Sequence, residues 1–435
     1  MTGLVACVDF GSTYTKALLV STPDGEVVAA AEAPTTSNTD VMRGWLACRA
    51  QLLAVEPGMR QAPVLACSSA GGGLRIAVVG NEELVTAEAG RRVALSSGGR
   101  VVHVGVGGLV GEGMGELSAA APDVVLLVGG TDDGNSEVIV AAARRLAAEH
   151  WPGPVVVAGN RTPAAEISET FTVAGVDHQV ADNVVPRIGV LRPEPARAAI
   201  RAMFLRHVIC GKRLSASADF LAMVVSPTPD VVLDGVELLA EGGAGDIAVV
   251  DVGGATTDVY SVVEVDPEEA GGLDRRVIAT TPVNRTVEGD LGVRSSADST
   301  SAAVREAGLV AESGNARDLQ LAELSIGLAL RRHAGRQRVV FGPDGRLIER
   351  TGTDLRQVDL IVGSGGALRH APPERAVRAL RRSTGEVDGG WLLPRAPRVV
   401  IDSTYVLAAA GLLRENHRAA AGVLVDRYIV QRAHP

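Results

Sequence analysis

Lysine is nearly missing from this chain. Of its 42 basic residues only Lys16 and Lys212 are lysine. A compact ammonium is not always replaceable by arginine's planar fork, so each survivor invites inspection. Aromatic residues are scarce at 3%, which leaves no base-stacking platforms. Basic residues are too few to balance the acidic ones, and the net charge is −9, so no nucleic-acid partner is expected. The four cysteines, Cys7, Cys48, Cys67 and Cys210, are dispersed with no Cys-x-x-Cys pair. That excludes a clustered thiolate site, and with it an iron–sulfur radical activator, and reads as small buried hydrophobes in a reducing compartment. The eight histidines form no His-x₃-His or HExxH pattern. No uncharged apolar run reaches about 18 residues, so no membrane partner is expected. The opening MTGLVACVDFGS lacks the basic segment of a secretory leader. A cytoplasmic protein is the expectation.

What is present is an ordinary folding composition, 46% hydrophobic and 21% charged over 435 residues, enough for roughly two to four domains. The 51 glycines have no collagen-like period and suit tight turns and close backbone approach to ligands. Short apolar runs predict strands at Leu4–Phe10, Ala17–Val20 and Val27–Ala31, an antiparallel opening unlike the strand–helix start of a dinucleotide-binding unit. A helix is predicted over 40–56, and strands at Val64–Ser69 and Ile76–Gly80 flank Gly71-Gly72-Gly73. Val124–Val128, the Ala-rich helix Ser136–Glu149 and Val155–Ala158 form a βαβ unit, which predicts a parallel sheet. Pro229–Ala240 is a helix with Val232, Val236 and Leu239 on its apolar face. Strands follow at Ile247–Asp251, Val259–Val263, Leu360–Val362 and Arg398–Ile401, and a small-residue helix at Tyr405–Leu413.

Three glycine turns carry chemistry. In Asp9-Phe-Gly-Ser-Thr-Tyr-Thr-Lys16, Gly11, Ser12, Thr13 and Thr15 let backbone N–H groups face a phosphate. Lys16 reaches a terminal phosphate as a point charge, and Asp9 at the strand end suits a hydrated Mg²⁺. A plain hairpin with a surface lysine is the competing reading. Asp251-Val-Gly-Gly-Ala-Thr-Thr-Asp258 repeats the logic, with Gly253 and Gly254 at the turn, Thr256 and Thr257 as hydroxyl donors and Asp251 as a second metal carboxylate. An aspartate-led hairpin twice in one chain suggests a duplicated, two-lobed protein. In Val362-Gly-Ser-Gly-Gly-Ala-Leu368, Gly363, Gly365 and Gly366 suit packing against a purine face, although any βα turn can look like this. Gly211-Lys212 is no P-loop, because Arg213 follows where Ser or Thr is required. The Gly- and Asp-rich stretch 101–135 reads equally as a structural loop or a partner surface.

The ordered set of phosphate hairpin, connecting helix, second phosphate hairpin, glycine turn and second connecting helix resembles the actin, sugar-kinase and heat-shock chaperone ATPase superfamily. Gly289-Asp290-Leu291-Gly292 resembles the chaperones' segment after the second hairpin. More closely, DFGSTYTK, CSSAGGGL, VGGTDDGN, ADNVVP, DVGGATTDVYS and RTVEGDLGVR together resemble the glutamate (methylaspartate) mutase accessory family, GlmL or MutL, which is distinct from the mismatch-repair protein of that name. This implies an α/β fold: a two-lobed, duplicated actin-like ATPase (ribonuclease H-like) with an inserted βαβ-containing subdomain. Residues 1–60 would open the first lobe and 61–225 complete it with the insertion. Residues 226–245 would be a connecting helix, 246–400 the second lobe, and 401–435 a second connecting helix returning to the first.

The resemblance implies ATP and Mg²⁺ as cofactors and an adenosylcobalamin-dependent mutase as partner, with an ATP-driven reactivating chaperone that exchanges damaged cofactor as the role. The sequence leaves open the mutase's identity and whether an oligomer forms. One departure stands out. Chaperone ATPases carry a glutamate just before the connecting-helix proline, where this chain has Ser226. Asp258, or Asp251 through a water, would then position the attacking water, with Lys16 completing the catalytic set and hydrolysis slow. The alternatives are a small-molecule kinase, a hydantoinase-type ATP-dependent hydrolase, and a non-catalytic actin-like scaffold.

Overall fold

A computed structural model describes residues 3–208, 214–264, 282–310, 316–342 and 345–433. Cys210 and Lys212 lie outside the described residues. The chain opens as an antiparallel meander of β1 (Leu4–Phe10), β2 (Tyr14–Ser21) and β3 (Val27–Pro34). The helix Met42–Val55 packs its buried Trp45, Cys48 and Leu52 beneath it, and β4 (Val64–Ser68) returns parallel to β1. Gly71, Gly72 and Gly73 all have positive φ. The strands on either side of them belong to different sheets.

A second sheet begins there, with β5 (Leu74–Val79), β6 (Gly99–Gly105), β7 (Val124–Leu127), β8 (Val155–Val157) and β9 (His178–Val180). Its order is β6-β5-β7-β8-β9 and every pairing is parallel. Helix crossovers bury such a sheet on both faces. Accordingly Ile76, Val78 and Leu126 face one core, while Ala77, Val79 and Leu127 face the other. The loop after β7 is knitted internally. Asn183 Nδ2 donates to Gly130 O and Asp132 Oδ1, both at 3.0 Å, and Asn160 Nδ2 to Gly134 O at 3.0 Å.

β10 (Val224–Pro227) then rejoins the first sheet, whose order is β10-β4-β1-β2-β3. The helix Thr228–Leu239 leads into β11 (Ile247–Val252), β12 (Thr257–Val262) and β13 (Val283–Glu288). A small hairpin follows, β14 (Arg336–Gly342) with β15 (Gly345–Thr351). β16 (Leu360–Ser364) and β17 (Arg398–Ile401) complete a sheet ordered β13-β12-β11-β16-β17. Strand for strand this repeats the first sheet: an antiparallel three-strand meander, then two strands parallel to its first member. This is the duplicated two-lobed α/β fold expected above.

Two helices, Thr228–Leu239 and Val406–Leu413, run between the lobes. Val5, Cys7, Leu18 and Val20 from the first sheet and Ile247, Val249, Leu360 and Val362 from the other pack on them in one shared core. This explains why the first helix is buried on more than the single face its periodicity suggested, with Val231, Leu233 and Leu238 buried as well. The helices cross with their backbones in contact. A Cβ on Gly235 would sit 2.2 Å from Leu407 O, and one on Gly411 1.9 Å from Val231 O.

Candidate functional site

Each meander hairpin ends at the mouth of one cleft of about 460 Å³ between the lobes, within the size range of ligand pockets, roughly 300–1,000 Å³. Asp9, Gly11, Ser12, Thr13 and Lys16 line it from the first lobe. Asp251, Gly253, Gly254, Thr256, Asp258, Gly365 and Gly366 line it from the second. The hairpin tips approach closely, since a Cβ on Gly254 would lie 3.3 Å from Thr13 Oγ1. Gly11 is required by crowding, because a Cβ there would be 2.6 Å from Tyr14 O. Gly365 has φ +104°, and its Cβ would meet Val252 O at 2.1 Å, so this turn packs directly on the end of β11.

Three residues expected in the site do not line the cleft. Thr15 is fully buried and its hydroxyl pairs with that of Thr35 at 3.0 Å. Thr257 is fully buried and donates to Leu291 O at 3.1 Å. Gly363 lies within β16, where a Cβ would meet Ile401, Leu368 and Leu380. The cause is the two-residue alternation of a strand. Lys16 and Asp258 face the cleft, so their strand neighbours Thr15 and Thr257 face the cores.

Asp9 is 4% exposed and well supplied with donors. Thr228 Oγ1 donates to its Oδ1 at 2.5 Å and Tyr405 OH to its Oδ2 at 3.2 Å. Lys16 stands opposite Asp9 in the β1–β2 register. Its Nζ lies 3.4 Å from the centre of the Tyr405 ring. Asp251 stands opposite Asp258 in the equivalent register. Burial pushes the Asp251 carboxyl up to about 6, with Asp258 and Asp9 adding to the rise and Lys16 and a hydrogen bond from Ser364 opposing it. Three carboxylates thus share the cleft floor with one ammonium. Mg²⁺ favours one or two carboxylates plus waters and phosphates, and Asp9 and Asp251 are two carboxylates that line the cleft and would fit such a set. No cluster of three or more His, Cys, Asp or Glu suited to a metal occurs among the described residues.

The second hairpin is braced from behind. Gly253 N donates to Thr256 O at 2.9 Å and closes the turn. Arg294 N and Ser296 Oγ donate to Gly254 O and Ala255 O at 2.9 and 2.6 Å. Occupying these carbonyls removes acceptors from the surface a phosphate would meet. Gly292 comes close enough that a Cβ would lie 2.7 Å from Gly254 O, which gives the Gly289–Gly292 motif its structural reason. Asp290 pairs with Arg332 through two bonds of 2.7 and 2.9 Å.

Sequence reasoning missed Tyr405 and Thr228. Tyr405 has φ +63° and ψ +45°, a left-handed conformation uncommon for a tyrosine. Asp402 forces the turn by accepting from Val406 N and Leu407 N at 2.9 and 3.2 Å. The only signal was a tyrosine three residues after an aspartate at a helix start. Ser226, at the departure from the chaperone pattern, donates to Asp230 Oδ2 at 2.6 Å. Thr228, two residues on, is the one that contacts Asp9.

A family model described as MutL protein matches residues 5–320 and 311–429. The chain is 35% identical over 468 aligned residues to Protein MutL of Clostridium tetanomorphum, covering 98% of both. Among solved structures it is similar to an ATP-dependent caprolactamase from Pseudomonas jessenii, at 15% identity and TM-score 0.39, covering 94% of this chain and 70% of that one. The xylulose kinase of Bifidobacterium adolescentis gives 13% and 0.31 over 100% and 94%. A nucleotide-free acetone carboxylase gives 15% and 0.33 over 88% of this chain, which spans 59% of that protein. These structural likenesses are too distant to carry a role across. The sequence match does fix the family, for it runs through both lobes and the inserted parallel sheet: the chain belongs to the MutL protein family, the accessory family of glutamate mutase.

Proposed function

We propose that this chain is an ATP-dependent reactivating chaperone for an adenosylcobalamin-dependent mutase, glutamate mutase or a related aminomutase, and that it drives exchange of damaged cofactor. The observation that carries the reading is the facing pair of glycine hairpins, Thr13 against Gly254, over a floor of Asp9, Lys16, Asp251 and Asp258. The hairpin backbones and Thr13 and Thr256 hydroxyls hold the phosphates. Lys16 leaves the Tyr405 ring and pairs with the terminal phosphate. Asp9 and Asp251 would hold Mg²⁺ through its waters, and the bound ion would neutralise phosphate charge. Asp258 or Asp251 orients the attacking water, and Gly365, Gly366 and their neighbours receive the adenosine. Affinity that differs between open and closed lobes supplies the work done on the partner. Buried thiols suit a reducing cytoplasm.

The test has two stages. Calorimetry with MgATP should show one site per chain, and mutase inactivated with a non-functional cobalamin should recover activity on adding this protein, MgATP and fresh adenosylcobalamin. Absence of MgATP binding at millimolar concentration would overturn the reading. A phosphorylated or hydrolysed small molecule appearing with ATP turnover would favour the kinase or hydrolase alternatives instead.

A further inference from the structure

Arg285 lies on β13, one strand beyond the second hairpin, and its side chain is 2% exposed. It stands opposite Tyr260 in register, with its guanidinium carbon 5.6 Å from that ring's centre. Nε and Nη2 both donate to Asp258 Oδ1, at 3.1 and 2.5 Å. Nη1 points the other way, donating to Leu95 O and, at 3.2 Å, to Gly99 O. Leu95 belongs to the last turn of the helix Glu88–Ser96, and Gly99 opens β6. Carbonyls at a helix C-terminus lack helical partners and carry partial negative charge, so a cation is favoured there. Burial works against the guanidinium charge, but Asp258 and Tyr260 outweigh it and hold Arg285 above the ordinary arginine range.

The turn that Arg285 grips is wedged on its other sides too. Gly98 has φ +78°, and a Cβ on it would lie 2.9 Å from Asp230 N and 3.1 Å from Pro227 Cβ, at the start of the first connecting helix. The Arg100 guanidinium lies 3.2 Å from where a Cβ on Gly289 would sit. The turn into β6, residues 95–100, is therefore held between the hinge helix and the second lobe. One rigid five-donor fork spans from there to a cleft carboxylate.

We propose that Arg285 is a positioning residue that couples the cleft to the inserted sheet, so that movement of Asp258 on nucleotide binding displaces the 95–100 turn and displacement of that sheet moves Asp258. This rests on the nucleotide reading of the cleft. A guanidinium is planar, so its donors to Asp258 and to the two carbonyls cannot turn independently. Coupling between sites is reciprocal and commonly amounts to about 5–150-fold.

The test is hydrogen–deuterium exchange on the full chain with and without MgATP, with calorimetry on the same samples. Arg285→Lys keeps a charge beside Asp258 but loses the fork that reaches two carbonyls. MgATP should slow exchange over residues 95–105 about fivefold or more in the unaltered chain. Arg285→Lys should abolish that response when compared at MgATP concentrations that saturate the variant, as calorimetry establishes. An arginine with only a packing role would loosen the segment equally with and without nucleotide. A response retained in Arg285→Lys, or absent in an unaltered chain that binds MgATP, overturns the proposal. Should the chain not bind MgATP, or Arg285→Lys not fold, Asp258→Asn decides: faster exchange at 95–100 in the nucleotide-free protein supports the tie, and unchanged exchange refutes it.

Discussion

Truncating Lys16 to alanine removes the only lysine among the described residues, from the floor of the cleft beneath the two hairpins. A charge-assisted bond from this ammonium to phosphate is worth about 1.5–3 kcal/mol. To make it, Lys16 must give up its place 3.4 Å above the Tyr405 ring, a contact worth about 0.5–2 kcal/mol. The net loss is about 1 kcal/mol, so the dissociation constant for MgATP should rise about fivefold. The side chain lines the cleft and is only half-buried, so the fold should survive, with the melting temperature lowered by no more than a few degrees for the lost contact with the Tyr405 ring. Calorimetry in excess Mg²⁺ measures the first quantity and a thermal scan the second. Thr15→Val is the control. It sits next in sequence but is turned into the core, and should cost about 1 kcal/mol of stability with no change in nucleotide affinity. A folded Lys16→Ala variant that binds MgATP within about twofold of the unaltered chain would refute the assignment of this cleft face to phosphate.

Gly411→Ala puts a methyl 1.9 Å from Val231 O. The connecting helices must separate, at a cost of about 1–3 kcal/mol, outweighing alanine's helix preference, and the urea midpoint should fall. His333 is buried between the Ser261 and Thr286 hydroxyls at 2.8 and 3.0 Å, and burial lowers its pKa from 6.5 to about 4. The unfolded chain therefore binds the proton more tightly. The stability this group contributes is complete above about pH 6.5 and is lost progressively down to about pH 4, up to roughly 3 kcal/mol. His333→Gln should flatten the stability profile in that window, and an unchanged slope would contradict the assignment. Burial pushes the Cys7 thiol up to about 12 and, with Glu32 adding to it, the Cys48 thiol up to about 11. Both should stay unlabelled by iodoacetamide at pH 8 in the native chain and react on unfolding, read by peptide mass spectrometry.

The sequence by itself determined much of the local structure. Asp-x-Gly between short apolar runs dictates a strand, a turn and a strand, because the glycine alone fits under Tyr14 O at residue 11. The recurrence of that pattern at Asp251 makes the duplication legible in the sequence, and the two sheets repeat one order. Periodicity also marked the βαβ segment, though not that five parallel strands would gather there.

Tertiary structure alone decided which side chains share the cleft. Strand parity turned Thr15 and Thr257 inward, and turns made almost wholly of glycine and hydroxyl residues carry no hydrophobic alternation from which to read it. Tyr405 and Thr228 lie 396 and 219 positions from the Asp9 they contact, and Arg285 lies 190 from Leu95. Each is an ordinary residue in its own neighbourhood. Local sequence encodes backbone conformation and which face of an element is apolar. It does not encode which distant polar atoms converge, because that follows only once the shared core between the lobes has fixed how the two sheets and the helices between them pack.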